Sequence, residues 1–306
     1  MKYSDFIFNS EQDIVNLIEQ SEQNFKKQIH EAVETVLAND DAKFVTLTGP
    51  SASGKTTSST MIVKELAERG KRVKLISIDD FYRDRHTLID EAKAEGREVD
   101  YESAKALNFA AFSDFVNAVL AGKEASLLHY DFDSGFSQSN GSVDPNDYDI
   151  FMFEGIQGLY PEILSLFGDA KVVKLYICVF EDIESPWCLW KGIEIRLLRR
   201  IIRDYHSRAA SAEHTFELWT SVIRNEKYNI TPYIDQADCI IDSGMLYEIC
   251  VLKGDLINTL GLMSESDIHY ISGMLILQKL SRFPLIEERY VPADSVIQEF
   301  IKDSHE

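Results

Sequence analysis

From Glu11 to Leu37 apolar residues fall at Ile14, Leu17, Ile18, Phe25, Ile29, Val33, Val36 and Leu37, the spacing of an amphipathic helix, with Ser10 placed to cap it. At Phe44 the texture changes to short β-branched runs alternating with helical patterns. FVTLT (44–48), RVKLISI (72–78), IFMF (150–153), VVKLYICV (172–179) and CIID (239–242) read as strands, and helices are expected through Glu68 and over 108–121. That alternation is the signature of βαβ units and a parallel sheet. A long polar helical stretch from about Pro186 to Tyr228 separates the last two strands, an insertion of the size of a lid. After Gly244 the pattern is helical over Tyr247–Leu260 and Asp267–Leu280, then comes a loop with Pro284 and Pro292, and a final short helix. The expected layout is an N-terminal helical arm (1–42) and an α/β domain (43–306) with a lid at about 185–232 and C-terminal helices over about 245–306.

The chain has 306 residues, 45% hydrophobic and 27% charged, enough to bury a core and too apolar for global disorder. Lys and Arg number 31 against 51 Asp and Glu, a net charge of −20 that repels nucleic acid and anionic lipid unless basic residues are concentrated in one place. A small-molecule partner is therefore expected, and neither nucleic acid nor membrane. No apolar run is long enough to span a bilayer and the start, MKYSDFIFNSEQD, does not read as a signal peptide, so a cytoplasmic protein is expected. Cys178, Cys188, Cys239 and Cys250 form no C-x-x-C pair and read as reduced and structural. His129, His206 and His214 are too scattered for a zinc site. The arm would either join two copies of the chain or cover the sheet.

The first strand runs into Gly49-Pro-Ser51-Ala52-Ser53-Gly54-Lys55-Thr56-Thr57, and a helical run follows. This is G-x-x-x-x-G-K-[ST] in the strand-to-helix context that gives the motif meaning. Glycines at 49 and 54 let backbone N–H groups turn in on phosphate oxygens at the positive end of a helix. Lys55 then bridges the outer phosphates, and the Thr56 hydroxyl is offered to Mg²⁺.

The strand through IFMF ends in Glu154-Gly155, an acid at the carboxyl edge of the sheet, able to hold Mg²⁺ directly or through water. A GTPase would show N-K-x-D, which the sequence lacks. The second strand ends in Asp79-Asp80-Phe81-Tyr82-Arg83, where a general base for an acceptor hydroxyl would be useful. If both aspartates continue the strand, only one faces the site. On a helix, Arg196, Arg199, Arg200 and Arg203 form one stripe opposite Leu198, Ile201, Ile202 and Tyr205. Four like charges at that spacing repel, and the expected relief is an anion, the transferring phosphoryl group.

Taken together, GPSASGKTT, DDFYR, HYDF (129–132), FEGIQGLYP (153–161), RLLRRIIRDYHSR, the Trp219-to-Glu226 spacing and NITPYIDQADCIIDS resemble the uridine kinase family of nucleoside kinases, a branch of P-loop kinases that neighbours phosphoribulokinase. YEICVLK and VPADSVIQEFI are similar to the tail of a bacterial subgroup whose longer members add a module similar to part of threonyl-tRNA synthetase, not expected here. The resemblance runs from about Lys43 to the C-terminus. It implies a P-loop NTPase fold and transfer of the γ-phosphate of ATP to the 5′-hydroxyl of a nucleoside. It further implies Asp79, rather than Asp80, as general base, a metal site of Thr56, Glu154 and Asp79, and Tyr82 and Tyr130 lining the nucleoside pocket. Arg200, Arg203 and Arg208 fall on the lid and ligand-clamping arginines, Arg203 also toward the nucleotide. Three positions depart from the family: Gly135 where pyrimidine kinases carry a base-reading histidine, Gln157 where many of the subgroup have histidine, and Ala209 where glycine follows the last lid arginine. These leave open a kinase of another alcohol, such as a sugar phosphate or pantothenate, or an ATP-binding regulatory protein.

Overall fold

The computed structural model describes residues 6–185 and 188–301. In chain order it opens with α1 (Glu11–Leu37), β1 (Phe44–Thr48), α2 (Lys55–Glu68), β2 (Val73–Ser77), α3 (Arg85–Ala94) and α4 (Phe109–Leu120). A hairpin of β3 (Ala125–Asp131) and β4 (Phe136–Val143) follows, then β5 (Ile150–Gly155), α5 (Pro161–Leu164) and β6 (Val172–Cys178). A second hairpin, β7 (Ile183–Ser185) and β8 (Cys188–Trp190), leads to α6 (Gly192–Arg208), α7 (Ala212–Asn225), β9 (Cys239–Asp242), α8 (Glu248–Gly261), α9 (Tyr270–Leu280) and α10 (Gln298–Ile301).

The five strands read from sequence form one sheet in the order β2-β5-β1-β6-β9, with every neighbouring pair parallel. All five residues of β1 are buried, as a central strand covered on both faces requires. One face carries Phe44, Phe151 and Phe153, packed with Phe112, Phe115 and Phe167. The other carries Val45, Leu47, Leu175 and Ile177 beneath α1, α2, α6 and α8. Because the chain leaves β1 for β2 and β5 on one side and then crosses to β6 and β9 on the other, the crevice at the carboxyl end of β1 is where a ligand collects.

The arm α1 covers the fold. Phe25, Ile29, Ala32 and Val33 are buried in the sheet's second core, and Gln28 pairs with both backbone groups of Asp242 on edge strand β9, at 2.7 and 3.1 Å. Tyr247 donates to Glu22 at 2.5 Å. Cys178 and Cys250 are buried, whereas Cys239 is partly exposed on that edge.

The polar stretch between β6 and β9 differs from its sequence reading. It is a hairpin and two helices, and α6 is a core helix with Ile195, Leu198, Ile201 and Ile202 buried. The α6–α7 turn is made by Ala209 in the left-handed region (φ 49°), which costs a non-glycine residue roughly 1–2 kcal/mol. Trp190 is buried with Lys279 over its ring and Trp219 packs near Arg196, so both serve packing; Trp187 lies outside the described residues. Neither the β3–β4 hairpin nor α3 was evident from periodicity.

Candidate active site

The loop between β1 and α2 is shaped by close approaches. A Cβ on Gly49 would lie 2.3 Å from the Ile177 carbonyl oxygen. Gly54 caps α2 in the left-handed region (φ 83°), and a Cβ there would strike Val296 at 2.4 Å. Ala52 is also left-handed (φ 60°). Side chains of α6 hold this loop from one flank. Arg196 donates to the Ser51 carbonyl (3.2 Å), Arg199 to the Ala52 carbonyl (3.5 Å) and Arg200 to the Ser51 hydroxyl (3.1 Å).

The arginine stripe therefore divides, and the expectation that all four arginines need an external anion is corrected. Arg196 is buried against Glu226 at 2.5 Å. Arg199, fully buried, forks onto Glu248 at 2.6 and 3.0 Å and also donates to the Ser243 carbonyl at 2.7 Å. Arg200, Arg203 and Arg208 instead gather around the single buried carboxylate of Asp204, at 3.1, 3.0 and 3.3 Å. Three cations on one anion leave a surplus of positive charge, and of the α6 arginines these three line the cavity. Asp204 is legible in the sequence as the residue four after Arg200 and four before Arg208.

That cavity, about 1170 Å³, is lined by Ser51, Ala52, Ser53, Lys55 and Thr56 of the loop, by Asp79, Tyr82, Tyr130 and Glu154, and by Arg200, Arg203 and Arg208. Gly49 and Thr57 are not in its lining. Asp79 and Asp80 do not alternate along a strand. They sit on a 3₁₀ turn (Ile78–Phe81), with Asp79 in the cavity wall and Asp80 turned to β3, accepting from the Tyr130 amide at 3.2 Å and facing His129 at 3.2 Å. Asp79 Oδ1 is enclosed without a hydrogen-bond partner. Burial pushes its carboxyl above the usual range, against the pull of Lys55. Burial likewise raises Glu154 to about 7, opposed by Lys55 and reinforced by Asp79 and Glu299.

An enclosed, unpartnered carboxylate oxygen with Glu154 and the Thr56 hydroxyl is an all-oxygen donor set suited to Mg²⁺. Among the described residues no three acidic, histidine or cysteine side chains are already gathered for a metal.

The far end of the cavity is aromatic. Tyr82 and Tyr130 meet at 5.4 Å and Phe132 stands across from both at 6.1 and 5.0 Å. Buried Gln157 donates to the Tyr82 hydroxyl at 3.1 Å, which gives that departure from the family a positioning role. Among the lining residues that sequence reasoning missed are Arg85, Glu102, Asn225 and Glu299. Glu102 is raised by burial, with Arg200 and Asn225 favouring its charge; it lies in a polar stretch with no periodic signal. Glu299 of α10 accepts from the Thr57 amide (3.4 Å) and hydroxyl (3.1 Å), a carboxylate where the start of α2 would favour a phosphate.

A phosphate-cradling loop at the crevice of a parallel sheet, facing carboxylates and surplus arginine charge, defines a P-loop phosphotransferase. Comparison with known proteins gives the family. The Phosphoribulokinase / Uridine kinase family matches residues 44–249, and the chain belongs to it. It is 26% identical over 214 residues to a uridine kinase of Streptococcus thermophilus, covering 70% of this chain and 90% of that one. It is 29% identical over 201 residues to a uridine kinase of Staphylococcus aureus, covering 65% and 86%. Among solved structures it is similar to a possible uridine kinase from Bacillus stearothermophilus, at 20% identity and a TM-score of 0.42 over 71% of this chain and 98% of that one. The chain is thus a kinase of a small alcohol, in a family that uses ATP and Mg²⁺ generally. Among the described residues no helix is long and apolar enough to cross a membrane.

Proposed function

We propose that this protein transfers the γ-phosphate of ATP to the 5′-hydroxyl of a nucleoside. The observation that carries the reading is one cavity whose lining combines Lys55 and Thr56, an aromatic wall of Tyr82, Tyr130 and Phe132, and Asp79. Aromatic faces with a few polar groups are what a base and sugar require, and relatives named uridine kinase favour the same acceptor.

In this reading Gly49 to Thr57 cradle the nucleotide phosphates and Lys55 neutralises charge on the outer ones. Thr56, Glu154 and Asp79 are the residues that would hold Mg²⁺, which when bound would supply positive charge to offset that of the nucleotide. Asp79 orients the acceptor hydroxyl and takes its proton late. Arg200 and Arg203 stabilise charge on the group in transfer, Arg203 also holding the nucleotide, and Arg208 clamps the ligand from the end of α6. Catalysis is then mostly positioning and charge neutralisation.

The test is ADP release from Mg-ATP with each common ribo- and deoxyribonucleoside in turn, products identified by mass. A nucleoside 5′-monophosphate is expected, with Asp79→Asn lowering kcat by at least about 10²-fold while KM for ATP stays within about threefold. Turnover of a sugar phosphate and of no nucleoside would replace this reading, and full turnover by Asp79→Asn would remove Asp79 from the chemistry.

A further inference from the structure

At the aromatic end of the cavity the β3–β4 turn and the start of α3 share one small volume. Gly135 is left-handed (φ 77°), and a Cβ there would lie 2.7 Å from the Arg85 Cβ and 2.9 Å from its Nε. Position 135 can therefore carry no side chain while Arg85 keeps its place, and Arg85 supplies the polar group on that part of the wall.

The guanidinium is held by backbone. The Arg85 amide donates to the Gly135 carbonyl at 2.8 Å. Its Nη2 donates to the Phe132 carbonyl and Nη1 to the Asp133 carbonyl at 3.5 Å, and the side chain also reaches the Tyr130 hydroxyl. Among the described residues no carboxylate lies within 4.0 Å of it as an ion pair, unlike Arg83 next door, which is paired with Glu91. A guanidinium has five N–H groups and no acceptor, so donors remain for a ligand in the cavity. A carbonyl oxygen satisfies them. An exocyclic amine would set N–H against N–H and leave both sides unpaired.

We propose that Arg85 is the specificity-determining residue of the acceptor pocket, selecting bases that present a carbonyl oxygen over those that present an amine at the same place. This rests on the nucleoside reading above. It concerns discrimination between acceptors, not the transfer step, so Arg85 acts on the ratio of kcat/KM values between matched bases.

Uridine against cytidine and inosine against adenosine are matched pairs that exchange oxo for amino. With Mg-ATP, the wild-type protein is expected to favour the oxo member of each pair by about tenfold or more, the modest size reflecting a half-exposed arginine. Arg85→Gln, whose amide both donates and accepts, should bring each ratio to within about threefold and leave KM for ATP unchanged, while Arg85→Lys, still donor-only, retains a preference. The ratio is independent of how much of a variant is folded, so a destabilised protein cannot imitate the result. Equal use of oxo and amino bases by the wild type, or an unchanged ratio in Arg85→Gln, overturns the role of Arg85 and leaves nucleoside phosphorylation standing. Turnover of no nucleoside, with ATP still bound, overturns the nucleoside reading and this inference with it.

Discussion

Replacing Arg199 and replacing Arg203 should have opposite signatures, although the two stand four residues apart on one helical stripe. Arg199 is fully buried, forks onto equally buried Glu248, donates to Ser243 and lies 4.9 Å from the Phe300 ring. Arg199→Met strands the Glu248 carboxylate with only the Met245 amide at 2.8 Å as a remaining partner. Breaking a buried pair from one side costs about 3–5 kcal/mol. At about 2–4 °C per kcal/mol, and less for longer chains, that is a fall in Tm of roughly 5–15 °C. Arg203 is half-buried, and Asp204 keeps Arg200 and Arg208 when it is removed. Arg203→Met should therefore move Tm by only about 2 °C, since the pair it breaks is worth about 1 kcal/mol, yet lower kcat by about 10³-fold. Circular-dichroism melts and steady-state rates at 25 °C measure both. Arg199→Met/Glu248→Leu should recover most of the lost stability, because an apolar pair needs no compensation. An Arg199→Met protein that melts like wild type while losing turnover, or an Arg203→Met protein that melts as early as Arg199→Met, would refute the division of the stripe.

Two further outcomes are expected. Glu154 sits at about 7 in the fold against an ordinary 4.5; the folded state then binds the proton more tightly than the unfolded chain, so its contribution is fully present below pH 4.5 and is lost as pH rises through about 7. With a chelator present, Tm should decline across that window, and Glu154→Gln should flatten the decline; an equal slope in the variant would show that another group titrates. Glu299→Gln removes a negative charge from the amide and hydroxyl of Thr57, so KM for ATP should fall about two- to fivefold, the worth of one charge at a helix start. An unchanged or raised KM would mean that Glu299 does not compete with the nucleotide.

The loop Gly49–Thr57, the acids Asp79 and Glu154, and the five strands of the sheet were legible because each is local. A loop motif, a strand end and a β-branched run are written in consecutive residues, and backbone geometry turns them into structure with few alternatives. The β3–β4 hairpin and α3 were missed for the converse reason: SQSNGS and the charged run after Arg85 lack an apolar period, and they are held by contacts such as Asp84 to Ser137 at 3.1 Å and Arg85 to Gly135 at 2.8 Å.

By itself the sequence determined the class of protein: a phosphate loop, acids at two adjoining strand ends and a supply of arginines, in an order that fits a parallel sheet. Only the tertiary structure decided which arginine does what. Arg196 and Arg199 meet Glu226 and Glu248 from α7's end and α8, while Arg200, Arg203 and Arg208 share Asp204 and keep charge for the cavity. Helical periodicity fixes the angle at which a side chain leaves its helix, whereas its partner comes from a residue up to 49 positions away, and charge is neutralised across space and not along the chain.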